Sequence, residues 1–368
     1  MKKQLFWIAI LVLSLSTSAA FAQNTIKIGL MAPLTGQFAS EGQEMKQVVE
    51  LLAADVNAKG GVLGKKIDLI TQDDGSDART AALAATKLAS QGVVAVIGTY
   101  GSSVTEPTQT IYNESDIVQI ANGSTAIRLT EKGLKMFFRT CPRDDEQAKV
   151  AAATLAKYKK IAILHDNSTY GKGLAEETKG LLPASQIVFF DALTPGQRDY
   201  STILTKLKQA QPNVVFFTGY YNEAGLLLRQ KKEMGWNVPF IGGDATGNPD
   251  LVKIAGVDAA SGFYFVNAPL PKDVPSAKSF VDEFKAKYGA PPASIYSVLA
   301  GDGFQVIVAA LNGTKDGNSK QLADYLHNKL KDFQGLTGKI SFNAKGDRVG
   351  EVYRVYKTDA KGNFILQP

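Results

Sequence analysis

Short, almost wholly apolar runs alternate with stretches whose apolar residues recur at helical spacing, and this alternation constrains the fold more than any motif. Val93-Val94-Ala95-Val96-Ile97 offers no polar position that could face water, so a strand there must be covered on both faces. Ile26 to Leu30, Lys66 to Thr71 and Ile117 to Ile120 read as further strands. Between them, Met45, Val48, Val49, Leu52, Ala53 and Val56 place a helix over 39–57, which Gly60-Gly61 stops. Asp77 to Ser90 is an Ala-rich helix with Asp77 as its cap, and another helix opens near Ser102. The rhythm restarts after Cys141-Pro142. Helices are expected at 144–158, 173–182, 200–209 and 222–234, and strands at 161–164, 187–190, 214–217, 240–241 and 263–266. Residues 277–330 read as mostly helical and returning to the first series, and 351–357 as a last strand. Strands that alternate with helices form parallel sheets with helices on both faces. The expected fold class is therefore α/β, with two doubly wound parallel-sheet lobes, and 368 residues suit two domains of about 100–200 residues each.

The first 22 residues stand outside this pattern. A basic start, Met1-Lys2-Lys3, precedes an apolar run from Leu5 to Leu13 and a small-residue site at Ala20-Phe21-Ala22. That is the layout of a secretory signal peptide cleaved after Ala22. The run is shorter than the ~20 residues that a spanning helix needs, and no later stretch is expected to cross a bilayer. No cysteine follows the run, so no lipid anchor is expected. Without Lys2 and Lys3 the net charge falls from +6 to +4, with the basic residues scattered. No nucleic-acid partner is expected from such a distribution.

Two histidines, His165 and His327, and one cysteine, Cys141, narrow the chemistry further. An intramolecular disulfide is excluded, as are Cys₄, Cys₂His₂ and His₃ zinc sites. No glycine-rich dinucleotide motif, phosphate loop or nucleophile elbow is present, so no cofactor and no metal is expected. His165 ends a buried strand and reads as structural; His327 lies on a polar helix and reads as exposed.

Ligands of open parallel sheets bind beyond the carboxyl ends of the strands. After Ile97 comes Gly98-Thr99-Tyr100-Gly101-Ser102-Ser103, with Ser102 at a helix N-terminus, where free amides favour an anion. After Ile120 comes Ala121-Asn122-Gly123-Ser124-Thr125, again small and rich in hydroxyls. The second series offers Gly219-Tyr220-Tyr221 and Gly242-Gly243-Asp244. One lobe thus suits a carboxylate and the other an ammonium group. These are also ordinary strand-to-helix turns, and their complementarity only hints at a zwitterion.

The chain resembles the branched-chain amino-acid type of periplasmic solute-binding protein, the receptor subunit of an ABC importer. The resemblance rests on Pro33-Leu34-Thr35-Gly36, on Asn57-Ala58-Lys59-Gly60-Gly61-Val62-Leu63-Gly64, on Asp73-Asp74, and on His165-Asp166 with Tyr170-Gly171-Lys172-Gly173. It implies two lobes joined by a three-crossing hinge, 23–141 with 270–348 and 142–269 with 349–368, around one ligand cleft. It implies that Ser102 holds the ligand carboxylate, that Gly123 meets the amino acid through its backbone, and that Thr125 bridges both ends. Asp244 would face the α-ammonium, and Tyr170 and Tyr220 would close over the ligand; Tyr100 and Ser124 belong to the same loops. The implied protein is no enzyme. It is a monomer of the periplasm that binds an aliphatic, leucine-, isoleucine- or valine-like amino acid and delivers it to a membrane permease. Two departures stand out. Glu41 lies where leucine-type receptors usually carry an aromatic residue, so it either meets a polar or cationic side chain or points to solvent. A disulfide that some relatives carry is absent, its positions being Ser76 and Gly101. A polar amino acid, an amide, urea or an aromatic acid therefore remains an alternative ligand, and a periplasmic sensor an alternative role.

Overall fold

The first strand, β1 (Thr25–Ala32), buries every residue from Ile28 to Ala32, as a strand covered on both faces must. The computed structural model describes residues 25–350 and 353–368, so the expected signal peptide lies outside the described residues. β1 pairs in parallel with β2 (Lys66–Asp73) and β3 (Ala95–Ile97), and the sheet continues through β4 (Val118–Ala121) to β5 (Phe137–Arg139), in the order β2-β1-β3-β4-β5. Helices α1 (Ala39–Ala58), α2 (Ala78–Ser90) and α3 (Ser102–Glu114) connect its strands, and the short α4 (Arg128–Glu131) precedes β5. Asp77 caps α2 as expected, its side chain accepting from the Thr80 amide at 2.8 Å.

The second sheet begins after α5 (Asp144–Leu155). Its strands β6 (Ile161–His165), β7 (Ile187–Ala192), β8 (Val214–Thr218), β9 (Phe240–Gly242) and β10 (Tyr264–Asn267) run parallel, connected by α6 (Thr169–Gly180), α7 (Ser201–Gln209), α8 (Tyr221–Glu233), α9 (Asp250–Ala255) and α10 (Val257–Ala260). The chain then returns to the first sheet through α11 (Lys278–Tyr288), α12 (Ile295–Thr314) and α13 (Ser319–Asn328). α12 packs on α1, and α13 on β4. A two-stranded ladder, β11 (Phe333–Gly335) with β12 (Gly338–Ile340), precedes the last crossing. β13 (Arg354–Thr358) and β14 (Phe364–Leu366) complete the second sheet at its β10 edge. The chain thus passes between the two sheets three times.

Several expectations needed correction. The sheets are parallel as expected except at one edge, where β13 runs antiparallel to β10, and β14 to β13. Five residues link β13 to β14, too few for a parallel crossover. α6 starts at Thr169 rather than 173, because the Ser168 hydroxyl accepts from the Gly171 amide at 2.9 Å and caps a turn that its glycines disguise. β5, β11, β12 and β14 were not expected; each is three residues long, too short for a periodicity to declare. Helix α12 is long and apolar enough to cross a membrane by length and composition, against expectation. However, 78% of that window is buried inside the protein, as the central helix of a core would be. His327 is half-buried rather than exposed, its ring 4.4 Å from that of Phe138.

Buried charge fixes the frame around the three crossings. Arg139, at the end of β5, has no exposed surface. Its Nε donates to Asp347 Oδ1 at 2.7 Å, Nη1 to the carbonyls of Ser124 and Ala126, and Nη2 to Thr130 Oγ1. Burial alone would raise the Asp347 carboxyl, but Arg139 and Arg143 hold it below its ordinary value. At the end of β2, Asp73 accepts from the amides of Leu34 and Gly75, while the carboxyl of the neighbouring Asp74 is fully buried and, among the described residues, accepts only from the Ser76 amide. Burial pushes Asp74 up from 3.8 to about 7.

Two outcomes are expected. Arg139→Ala leaves a buried carboxylate without its main counter-charge and should cost about 3–5 kcal/mol. In denaturant unfolding this reads as a lower midpoint at unchanged slope, and an unchanged midpoint would refute the role given to the guanidinium. Asp74 binds its proton more readily folded than unfolded. Its contribution is therefore fully present below the unfolded value of 3.8 and is lost as the pH rises through about 7. Asp74→Asn should remove that share of the decline when unfolding is followed across this pH range. Parallel wild-type and variant profiles would count against the assignment.

Candidate functional site

The carboxyl ends of both sheets face each other, and the loops that leave them meet between the lobes. Gly101 stands extended at the N-cap of α3, with Ser102 the first helical residue. In that first turn the Val104 amide donates to the Gly101 carbonyl at 3.2 Å, while the Ser102 and Ser103 amides precede the first intrahelical bonds and carry the positive end of the dipole. Ser102 Oγ accepts from the Ala126 amide at 3.2 Å, tying this loop to the one after β4. In that second loop a Cβ on Gly123 would lie 2.7 Å from the Tyr100 ring and 2.8 Å from the Tyr100 carbonyl, so no side chain fits. Ser124 Oγ donates to the Thr99 carbonyl at 3.0 Å and shares a 2.5 Å hydrogen bond with Thr105 Oγ1, turning inward to brace the loop. The Thr125 carbonyl accepts from the Asp144 amide at 3.0 Å, and its buried Oγ1 makes no hydrogen bond within 3.5 Å among the described residues but lies near enough to the Asp144 carboxyl to favour its charge.

The opposite wall comes from the second sheet. Tyr170 lies in the first turn of α6, Tyr220 is the N-cap of α8, and Asp244 follows β9. Tyr170 Oη accepts from the Ala245 amide at 3.4 Å, and a Cβ on Gly243 would come within 2.4 Å of that oxygen. Tyr220 stacks between lobes, its ring 4.5 Å from Phe38, 5.5 Å from Tyr170 and 5.9 Å from Tyr100. Tyr100 in turn meets Tyr296 at 5.8 Å. The candidate residues Tyr100, Tyr170 and Tyr220 therefore belong to one aromatic cluster that spans both lobes.

Asp244 is buried, and its Oδ2 accepts from Tyr296 Oη at 2.5 Å and from Tyr353 Oη at 3.2 Å. Its amide donates to Gln147 Oε1 at 3.0 Å. Burial raises the Asp244 carboxyl, and the Tyr296 hydroxyl offsets part of that rise. Asp144 is buried too and is pushed well above its ordinary value, first by burial and then by the Asp244 charge. Two carboxyl groups thus share a desolvated region, with no basic side chain bonded to either among the described residues. Sequence reasoning gave Asp144 no part in the site, and missed Tyr296, Tyr353, Gln147 and Phe38. Tyr296 and Tyr353 follow the second and third crossings, where no strand end announces them.

Glu41, left open between pocket and solvent, is 1% exposed, in the first turn of α1. The lobes are in contact around the rim. Tyr221 Oη and Asn222 Nδ2 donate to the Gln37 carbonyl, the Thr169 amide donates to Ser103 Oγ, and Asn248 Nδ2 donates to Glu41 Oε2 at 3.2 Å. A cavity of about 140 Å³ lies at this junction, lined by Phe38, Tyr100, Gly101 and Tyr220 and by the acids Asp74, Asp166 and Glu223. Of the other expected site residues, Ser102, Gly123, Ser124, Thr125, Tyr170, Asp244 and Glu41 do not line that cavity.

Comparison with known proteins gives this arrangement a family. The model of the periplasmic binding protein family matches residues 25–363. A Leu/Ile/Val-binding protein homologue of Brucella abortus is 38% identical over 99% of this chain and 100% of its own length. A leucine-, isoleucine-, valine-, threonine- and alanine-binding protein of Pseudomonas aeruginosa is 34% identical over 92% of this chain and 91% of its own. Among solved structures, the branched-chain amino acid transporter substrate-binding protein LivJ of Streptococcus pneumoniae, in complex with isoleucine, superposes with a TM-score of 0.85. It is 30% identical and covers 93% of this chain and 100% of its own. With a family match across nearly every described residue and relatives of this similarity, the chain belongs to the periplasmic binding protein family.

Proposed function

We propose that this chain captures an amino acid between its lobes and delivers it to the membrane permease of an ABC importer. The observation that carries the reading is the opposition of charge preferences across the cleft. The α3 N-terminus with Ser102 and Thr125 suits a carboxylate, and the carboxyl of Asp244, close to that of Asp144, suits an ammonium group. Gly123 lets the ligand approach backbone, and Tyr100, Tyr170 and Tyr220 cover it. Relatives named for leucine, isoleucine and valine support a branched aliphatic side chain as the family's usual ligand.

Binding in such a cleft proceeds by closure. A ligand held on the first lobe gains the second-lobe contacts only when the lobes meet, so it favours the closed state by that differential affinity. Both charged ends lose water on closure, and each must be fully hydrogen-bonded or burial costs several kcal/mol. An analogue lacking either end is therefore rejected. The role is capture rather than turnover. His165 Nδ1 accepts from the Asn167 amide, and Asp166 Oδ1 is committed to Ser168, an arrangement that supports a structural part for both. We further propose lobes of 23–141 with 270–348 and of 142–269 with 349–368, export by the N-terminal leader, and a monomeric receptor in the periplasm.

Asp244→Asn keeps a group that Tyr296 and Tyr353 can bond but removes the charge that would face the ammonium. Calorimetry should show a loss of amino-acid affinity of about a hundredfold or more, the scale expected when a buried charge pair is broken. The wild type should bind neither the methyl ester nor the deaminated form of its ligand. Affinity unchanged in the variant would refute the zwitterion reading.

A further inference from the structure

Glu41 is a buried carboxyl group that the reading above leaves without a task. Its Oε2 accepts from Asn248 Nδ2 at 3.2 Å across the lobe junction; Oε1 has no hydrogen bond within 3.5 Å among the described residues, with the Ser294 side chain close enough to favour the charge. The acid one turn further along the same helix provides the contrast. Glu44 accepts from the amides of Ala293 and Ser294 and from Ser297 Oγ at 2.7, 3.0 and 2.5 Å, and so ties α1 to the start of α12. Glu44, only partly buried, is fully bonded; Glu41, 1% exposed, is not. A buried acceptor left unpaired is costly, and a ligand group that bonds it removes that cost.

The surroundings indicate what that is. Phe38, one turn before Glu41, packs against the rings of Tyr100 and Tyr220 at 6.0 and 4.5 Å. The Glu41 charge is among those that raise the Tyr100 and Tyr221 hydroxyls, after burial itself, so the carboxyl lies at the edge of this aromatic wall. On the opposite edge, Tyr100 meets Tyr296, which bonds Asp244. If Ser102 and Thr125 take the ligand carboxylate and Asp244 its ammonium, the aromatic wall and Glu41 are left for the side chain. Burial, with the nearby Glu44, pushes Glu41 up to about 8, although Ser294 and Asn248 offset part of the rise.

We infer that Glu41 is a specificity-determining residue, and that the amino acid this receptor selects carries a hydrogen-bonding polar group on its side chain, delivered to Glu41 Oε1. The inference rests on the amino-acid reading and narrows it. A purely aliphatic side chain fills the aromatic part of the pocket but strands the carboxyl oxygen. Sites built to hydrogen-bond a ligand group discriminate strongly against analogues that lack it, whereas an extra methylene is distinguished only weakly. Neutral polar and cationic side chains both supply the required chemistry, and one substitution separates them.

The test is a calorimetric panel of leucine, isoleucine, threonine, glutamine, lysine and arginine on the wild type, Glu41→Gln and Glu41→Leu, with thermal unfolding as the control for folding. The wild type should prefer a polar member over leucine by about tenfold or more, and Glu41→Leu should abolish or invert that preference. Glu41→Gln should retain a neutral polar ligand and lose a cationic one. A ranking that Glu41→Leu leaves unmoved overturns the inference, whichever class binds better. Should Glu41→Leu fail to fold, the wild type decides: leucine bound as tightly as every polar member overturns it. Silence from all amino acids instead refutes the amino-acid reading itself, a result separable from a measured aliphatic preference.

Discussion

Arg139 brings a full positive charge to a place that water does not reach, and the geometry between the lobes follows from how that charge is satisfied. Its guanidinium reaches Asp347, the carbonyls of Ser124 and Ala126, and the Thr130 hydroxyl. Those partners belong to three separate pieces of chain: the strand-end loop that carries Gly123 and Thr125, the short helix α4, and the segment entering the third crossing. A planar fork of donors suits this task better than a point charge, because each N–H direction fixes one partner. Removing water from a charged pair is expensive, and the arrangement is worth that expense only with such geometry. The loop after β4 is therefore held from behind by a buried charge and is presented to the cleft already shaped.

On that frame the site uses little unusual chemistry. Helix α3 supplies free amides because every helix N-terminus does, and the open sheet puts that terminus at the cleft. Two glycines permit what side chains would forbid: Gly123 lies against the Tyr100 ring, and Gly243 against the Tyr170 hydroxyl. The aromatic cluster then gives the two lobes a surface that packs when they meet, each ring edge or face finding another at 4.5–6.0 Å. Preorganisation of this kind reduces the ordering that binding must impose, leaving more of the interaction energy for affinity.

Most of the frame was legible in the sequence. Apolar runs such as Ile161 to Leu164 and Val214 to Phe217 can only be doubly covered strands, and they are. The loops holding Ser102, Gly123 and Asp244 were found because they follow such runs. What escaped had no local signature. Tyr296 reads as one more apolar residue at the start of a core helix, and Tyr353 as part of an edge strand. Both meet Asp244 only because separate crossings bring them there from 52 and 109 residues away. Arg139 likewise finds Asp347 across 208 residues. Glu41 was visible as an anomaly, but its burial was not, since a helix N-terminus is as often wet as dry. Periodicity declares which face of an element is covered, whereas it is silent about which distant residue does the covering.

The buried acids of this chain divide according to what answers them. Asp347 sits between Arg139 and Arg143 and is held below its ordinary value. Asp144 and Asp244 are buried as deeply at the same junction and are both raised. Burial opposes ionisation in all three; Asp347 is bonded directly by two guanidiniums, whereas, among the described residues, Asp144 feels Arg139 without a hydrogen bond to it and Asp244 is bonded by tyrosine hydroxyls. Where the frame must be permanent, the chain supplies the positive charge itself. At Asp244 the chain offers tyrosine hydroxyls, which orient a carboxylate without neutralising it, and on the reading proposed the ligand ammonium supplies the missing charge. Closure is then favourable with the ligand and less so without it, because the closed state takes water away from Asp244 and the ligand ammonium supplies the charge that answers it. Specificity for a zwitterion and the coupling of binding to closure have, on this account, a single origin in a charge that the chain withholds.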